Sequence, residues 1–159
     1  MKTFGNIIVG MIIGILVVCV AGWLMMPKMM LNEYESPFGV EETMEKITAS
    51  ALAEGWVVSS VTRLHQSVKK HSGHDLSPVL LVNLCQADHA YKILNDDDTK
   101  IVSVMMPCTI SVYQKSDGKA YIGAMNASLM GKMFGGVVAE VMGNVVAKQQ
   151  KSFIRFANP

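Results

Sequence analysis

Residues 104–126 read Val-Met-Met-Pro-Cys-Thr-Ile-Ser-Val-Tyr-Gln-Lys-Ser-Asp-Gly-Lys-Ala-Tyr-Ile-Gly-Ala-Met-Asn, and their reading decides the fold. Ile110 and Val112 alternate with Ser111 and Tyr113, and Ala120 and Ile122 alternate with Tyr121 and Gly123. A period of two marks a strand with one buried face. Between the two runs, Ser116-Asp117-Gly118 is a tight-turn signal, because Asp and Gly tolerate the backbone that hairpins require. The stretch is a β-hairpin, with a Met-Met-Pro-Cys cluster leading into it. Asn126 or Ser128 can cap a helix on leaving it.

Upstream, residues 78–85 are nearly all apolar and fit a strand covered on both faces. Residues 56–62 are rich in β-branched and aromatic side chains and predict another strand. A first strand is predicted over 29–36, closed by the turn Ser36-Pro37-Phe38-Gly39. From Val40 the period becomes helical: Val40, Met44, Ile47, Ala51 and Leu52 share a face, Glu41 and Glu42 suit the first turn, and Gly55 is a natural stop. Short helices are predicted over 65–74, ending at Gly73, and over 87–94, with His89, Ala90, Ile93 and Leu94 inward. The fold class is therefore α+β, a small antiparallel or mixed sheet packed by helices.

Downstream, a long helix is predicted over 127–153. Met130, Met133, Phe134, Val137, Val141 and Val145 form its apolar stripe, and Gly131, Gly135, Ala139 and Gly143 recur every four residues. Each Gly costs about 1 kcal/mol of helix stability against Ala. Such a ridge implies close backbone approach, either inside the domain or to a second copy or a membrane-protein partner. Residues 152–159 read as a fraying tail.

One transmembrane helix precedes the domain. Residues 3–27 carry no charge, and twenty helical residues rise about 30 Å, the thickness of a bilayer's apolar core. The run exceeds a signal peptide's apolar region, and no small-x-small cleavage site follows. Cys19 lacks the small residues before it that a lipoprotein site needs, Trp23 suits the interface, and Pro27 is expected to end the span. A short inside tail with an exported domain is the common arrangement, so the expected address is a bacterial inner membrane with a periplasmic domain. The expected division is 1–27 anchor, 28–126 domain and 127–159 helix and tail. The formal net charge of +1 and charged content of 17% give no footprint for nucleic acid.

These pieces resemble the domain-of-unknown-function family numbered 302. The resemblance rests on Ser36-Pro37-Phe38 with Val40-Glu41-Glu42-Thr43, on Ala53-Glu54-Gly55-Trp56, on the apolar strand to Asn83, and on Met106-Pro107-Cys108 with Val112-Tyr113 and Asp117-Gly118-Lys119. It spans roughly residues 30–126. It implies a compact α+β domain, dimeric, with no established activity and no catalytic residues to carry over. The span and the glycine-ridged helix lie outside that pattern.

The chemistry worth weighing gathers at two strand ends. Cys85 closes one predicted strand and Cys108 opens another, so antiparallel neighbours would bring them close. In an exported domain they are either a disulfide or two buried thiols. Cys85, His89, Met106 and Cys108 also form a soft set, suited to copper or to an axial haem position. Covalent haem attachment lacks its Cys-x-x-Cys-His. His71 and His74 read as solvated, and Asp96-Asp97-Asp98 lacks a calcium loop's alternation. A thiol enzyme centred on Cys108 has no supporting signature. The first reading is a non-enzymatic, membrane-anchored binding domain of unknown ligand, with soft-metal or haem binding and thiol catalysis as alternatives.

Overall fold

The computed structural model describes residues 2–157, with side chains from residue 10 onward. The amino-terminal charge, the Lys2 side chain and the last two residues of the tail fall outside that description. Five strands form one fully antiparallel sheet in the order β1-β5-β4-β3-β2: β1 Leu31–Glu35, β2 Val57–Arg63, β3 Val79–Cys85, β4 Cys108–Gln114 and β5 Ala120–Met125. The hairpin supplies β4 and β5 and sits mid-sheet. Its turn closes through Lys115 N–H to Lys119 O (3.1 Å) and Gly118 N–H to Lys115 O (3.0 Å), with Gly118 at φ +80°. Ile110, Val112, Ala120, Ile122 and Ala124 all face the core, as the alternation requires.

β3 departs from its expected environment. Leu80, Val82 and Leu84 are fully buried, but Val79, Leu81, Asn83 and Cys85 are only half-buried, so the strand is covered on one face and not on two. The second face carries a polar ladder instead. Tyr113 donates to Glu33, Lys115 Nζ lies 2.6 Å from Glu33 and 3.9 Å from the Tyr121 ring, and Tyr121 donates to Asp117 at 2.7 Å. Lys115 and Tyr113 hold the Glu33 carboxyl below its usual range, and Asp117 pushes the Tyr121 hydroxyl up to about 12.

On the core face lies α2, Val40–Ala53. Val40, Met44, Ile47 and Ala51 are buried as their spacing demands, but Leu52 is 54% exposed and Thr43 takes its place inside. Leu52 sits just off the 3.6-residue stripe. Buried Thr43 is tolerated because its hydroxyl meets Ser36 Oγ at 2.6 Å. α3 is Leu64–Ser72, ended by left-handed Gly73, and α4 is Ala87–Leu94. A 3-10 segment, Asp97–Met105, then leads to the Met106-Pro107 peptide, which is cis, and it includes Val104, which lies outside the hairpin strands and is 85% exposed.

The chain after β5 is not one helix. α5, Ala127–Phe134, stops at Gly135 and Gly136, whose φ values of +71° and +51° reverse the chain. A second rod then runs through α6, Gly136–Val138, a π-helical stretch, Ala139–Val146, and α7, Ala147–Phe153. The predicted ridge is divided between the two rods, and two of its glycines face each other. A Cβ on Gly131 would lie 2.5 Å from Gly143 N and 2.9 Å from Gly143 Cα. The close approach implied by the glycines thus occurs within the chain at this pair.

The stripe shifts as well. Val138, Val141, Met142 and Val146 are buried, whereas Met133, Phe134 and Val145 are exposed. The reversal and the wider π turns move the inward phase. Nor does the tail fray where the structure describes it: Phe153 is 2% and Ile154 1% exposed.

At the other end α1 runs Lys2–Met30, with Pro27 inside its last turns and not at its end. The segment Gly10–Met30 has 21 residues, about 31 Å of helix, none of it buried. It is long and apolar enough to cross a membrane. No linker separates it from β1. Asn126 joins the two parts: its backbone N–H donates to Met30 O (2.8 Å), its Nδ2 donates to Met29 O (2.9 Å), and its Oδ1 accepts from Leu129 N–H (3.1 Å). One side chain caps the end of α1 and the start of α5.

Candidate functional site

Antiparallel pairing of β3 with β4 sets Leu84 opposite Cys108. The end of β3 and the start of β4 therefore lie together, and α4 leaves from one and the Met106-Pro107 bend reaches the other. Gln86 starts α4 by accepting the His89 N–H at 2.8 Å. Trp56 comes from the head of β2, and Val141, Met142 and Val146 come from the π-helical stretch. Together they enclose a half-open pocket with a cavity of about 30 Å³. Cys85, His89, Met106 and Cys108, the four residues singled out in the sequence, all line it. His71 and His74 are exposed on and after α3 and take no part.

Both cysteines are free thiols. Strand alternation turns Cys108 to the core face with Leu84 and Cys85 to the other, so they bracket the sheet end. Burial, and secondarily Cys85, push the Cys108 thiol up to about 11. A neutral thiol is a poor nucleophile and a poor ligand until its proton leaves. His89 is half-buried, with Nε2 3.0 Å from Gln149 Oε1. With that oxygen as the acceptor, Nε2 is the donor of the pair.

Trp56 is 3% exposed and fixed edge-on between Phe153 (5.4 Å between ring centres) and His89 (5.8 Å). Its indole Nε1–H is buried without a hydrogen-bond partner. Such groups are rare because losing water without a replacement bond is unfavourable.

Five sulfur-containing residues line the pocket: Cys85, Met105, Met106, Cys108 and Met142. Among the described residues no Lys, Arg, Asp or Glu does. Among the described residues no three His, Cys, Asp or Glu groups converge closely enough to hold a metal. A cavity of about 30 Å³ is of the order of one water molecule and does not admit a haem. Trp56, Met105 and Met142 were not read as site residues from sequence. The Gly55-Trp56 step was legible, but the role of Trp56 depends on a terminal rod about ninety residues away.

Comparison with known proteins places the fold. The sequence pattern described as "Domain of unknown function DUF302" matches residues 32–156. The chain belongs to the DUF302 family. The match reaches through both terminal rods, beyond the 30–126 stretch that carries the resemblance in sequence. The crystal structure of an uncharacterized conserved DUF302 protein from Bacillus stearothermophilus is similar, with a TM-score of 0.70 at 22% identity, covering 80% of this chain and 98% of that one. At that identity the likeness concerns the fold alone. No curated protein matches the chain. As a DUF302 member, the chain has α1 outside the matched segment and the sulfur-lined pocket wholly within it.

Proposed function

We propose that this DUF302 chain is a membrane-tethered, non-enzymatic binding domain whose ligand site is the pocket beneath α4. One observation carries the reading: segments far apart in sequence bring only uncharged or imidazole side chains to a single open pocket with a buried, unpartnered donor. Apolar concavities with few polar groups are the usual form of small-molecule sites. Catalysis by Cys108 has less support, since its proton is held up to about 11 and His89 bonds Gln149 through Nε2. In this reading α1 anchors the chain in a bacterial inner membrane with the domain in the periplasm. Activity of a cytoplasm-specific reporter fused at the C-terminus would overturn that address.

The test uses the full chain in lipid nanodiscs with Trp23→Phe, so that fluorescence reports Trp56. Cyclopentanone or methylcyclopentane is expected to change the emission, and Ala90→Phe, which fills the pocket, is expected to abolish the response. If neither compound changes the emission or the unfolding temperature, the reading fails.

A second reading, soft-metal binding, is favoured by the sulfur-rich lining together with the His89 imidazole beside it. It requires side-chain movement to assemble a ligand set. Copper titration of the reduced chain tests it. Stoichiometric binding lost in Cys108→Ala supports it, and no binding at micromolar copper sinks it.

A further inference from the structure

We infer that the pocket takes a small uncharged molecule whose apolar body lies against the sulfur wall and whose single acceptor oxygen, of the carbonyl or ether kind, receives the Trp56 Nε1–H. This names the ligand class for the binding site proposed above and rests on that reading.

Three observations lead to it. The first is the indole. Its N–H is buried and unpartnered, and edge contacts with Phe153 and His89 hold the ring. The residue is 3% exposed, so bulk water does not reach the donor. It is satisfied by what enters the pocket, and what it demands is an acceptor.

The second is the charge balance. With no Lys or Arg in the lining, a carboxylate or phosphate would be taken out of water without a counter-charge. With no Asp or Glu, an organic cation meets the same obstacle. Burying an unpaired ion is far less favourable than burying a neutral carbonyl that is hydrogen-bonded. The class is therefore neutral.

The third is the wall. Met105, Met106 and Met142 are unbranched, polarizable and adaptable, so they mould to an apolar body without fixing its shape. Thioethers and thiols are weak hydrogen-bonding groups, and the Gln86 amide and His89 ring already bond Asp88 and Gln149, which leaves Trp56 as the unpartnered donor. The cavity of about 30 Å³ accepts the acceptor group, and the rest of the molecule occupies the open part of the pocket.

The experiment compares three probes of similar shape on the full chain in nanodiscs, with Trp23→Phe and ¹⁵N-labelled indole. Cyclopentanone has the acceptor, methylcyclopentane lacks it, and cyclopentanecarboxylate is charged. At equal free concentrations, cyclopentanone is expected to bind roughly threefold to tenfold tighter than methylcyclopentane, the worth of one net hydrogen bond. It is also expected to move the Trp56 indole N–H resonance downfield. Trp56→Phe is expected to keep methylcyclopentane binding and lose the preference. The comparison within the Trp56-containing chain stands even if that variant folds poorly. Equal binding of ketone and hydrocarbon with an unmoved indole resonance would overturn the acceptor assignment and leave the binding site standing. Tightest binding by the carboxylate would overturn the neutral class. No binding of any probe would overturn the site itself.

Discussion

Two glycines facing each other have opposite tolerances. A methyl group on Gly131 meets the Gly143 backbone at 2.5 Å, and backbone inside a helix pair cannot step aside. A methyl group on Gly143 meets only Ser128 O at 3.7 Å, an ordinary contact. Gly131→Ala is expected to destabilise the domain by about 1–3 kcal/mol through overpacking. Gly143→Ala is expected to be neutral or to stabilise by up to about 1 kcal/mol through helix propensity. Urea unfolding of the two variants checks the pair, and equal effects would contradict the contact. Cys108 offers a second residue-scale test. Its thiol pKa is raised from 9.0 to about 11, so the folded chain keeps a proton that the unfolded chain has shed. Below pH 9 both states are protonated and the group contributes nothing to the pH dependence. Between pH 9 and 11 stability falls, because the unfolded state binds fewer protons. Cys108→Ala is expected to flatten that part of the stability–pH curve whatever its baseline change. Alkylation of Cys108 by iodoacetamide is expected to be slow at pH 8 and to rise about tenfold per pH unit toward 11.

The reversal at Gly135-Gly136 is the element that reorganises the C-terminal third. In a continuous helix, alanine at 135 would improve on glycine by about 1 kcal/mol. In the observed turn, with φ +71°, a Cβ is strained although the space around it is open. Gly135→Ala is therefore expected to destabilise by about 1–2 kcal/mol, read from thermal unfolding. Stabilisation would restore the single helix. The same turn explains why the stripe read at Met133, Phe134 and Val145 lies outside: its phase holds only while one rod with 3.6 residues per turn persists. Beyond the reversal, Val138 at the end of α6 and Val141, Met142 and Val146 of the π-helical stretch face inward, and the last three reach the pocket.

Across the whole molecule, the last rod closes the core and also lines the pocket. Phe153 and Ile154 are buried, and Phe153 packs edge-on against Trp56. Truncation after Val146 is expected to remove that support, broaden the unfolding transition and expose Trp56. Acrylamide quenching in the Trp23→Phe background would detect this, and an unchanged Trp56 would show that the rod is dispensable. At the opposite end α1 passes directly into β1 and is tied at Met29 and Met30 by Asn126. A tether of that kind fixes the domain's attitude to α1, unlike a flexible linker, whose reach grows with length.

What local periodicity encodes was readable in advance. The hairpin over 104–126, strand β3, helices α2 to α4, the apolar N-terminal helix and the left-handed stop at Gly73 all depend on neighbours within a few residues, and each was found near its expected place. The soft residues at the strand ends were readable too, because an antiparallel sheet brings Cys85 and Cys108 to one end. Chain reversal and convergence were not. Gly135-Gly136 continues a four-residue spacing that reads equally well as a ridge, and only packing of Gly131 on Gly143 selects the hairpin. Trp56 becomes part of a pocket only when Val141 and Met142 line it and Phe153 packs edge-on against the indole, from about ninety residues away. The stretch 104–126 therefore carried the sheet in its own pattern, while the pocket at its head arose from contacts between segments that no local pattern contains.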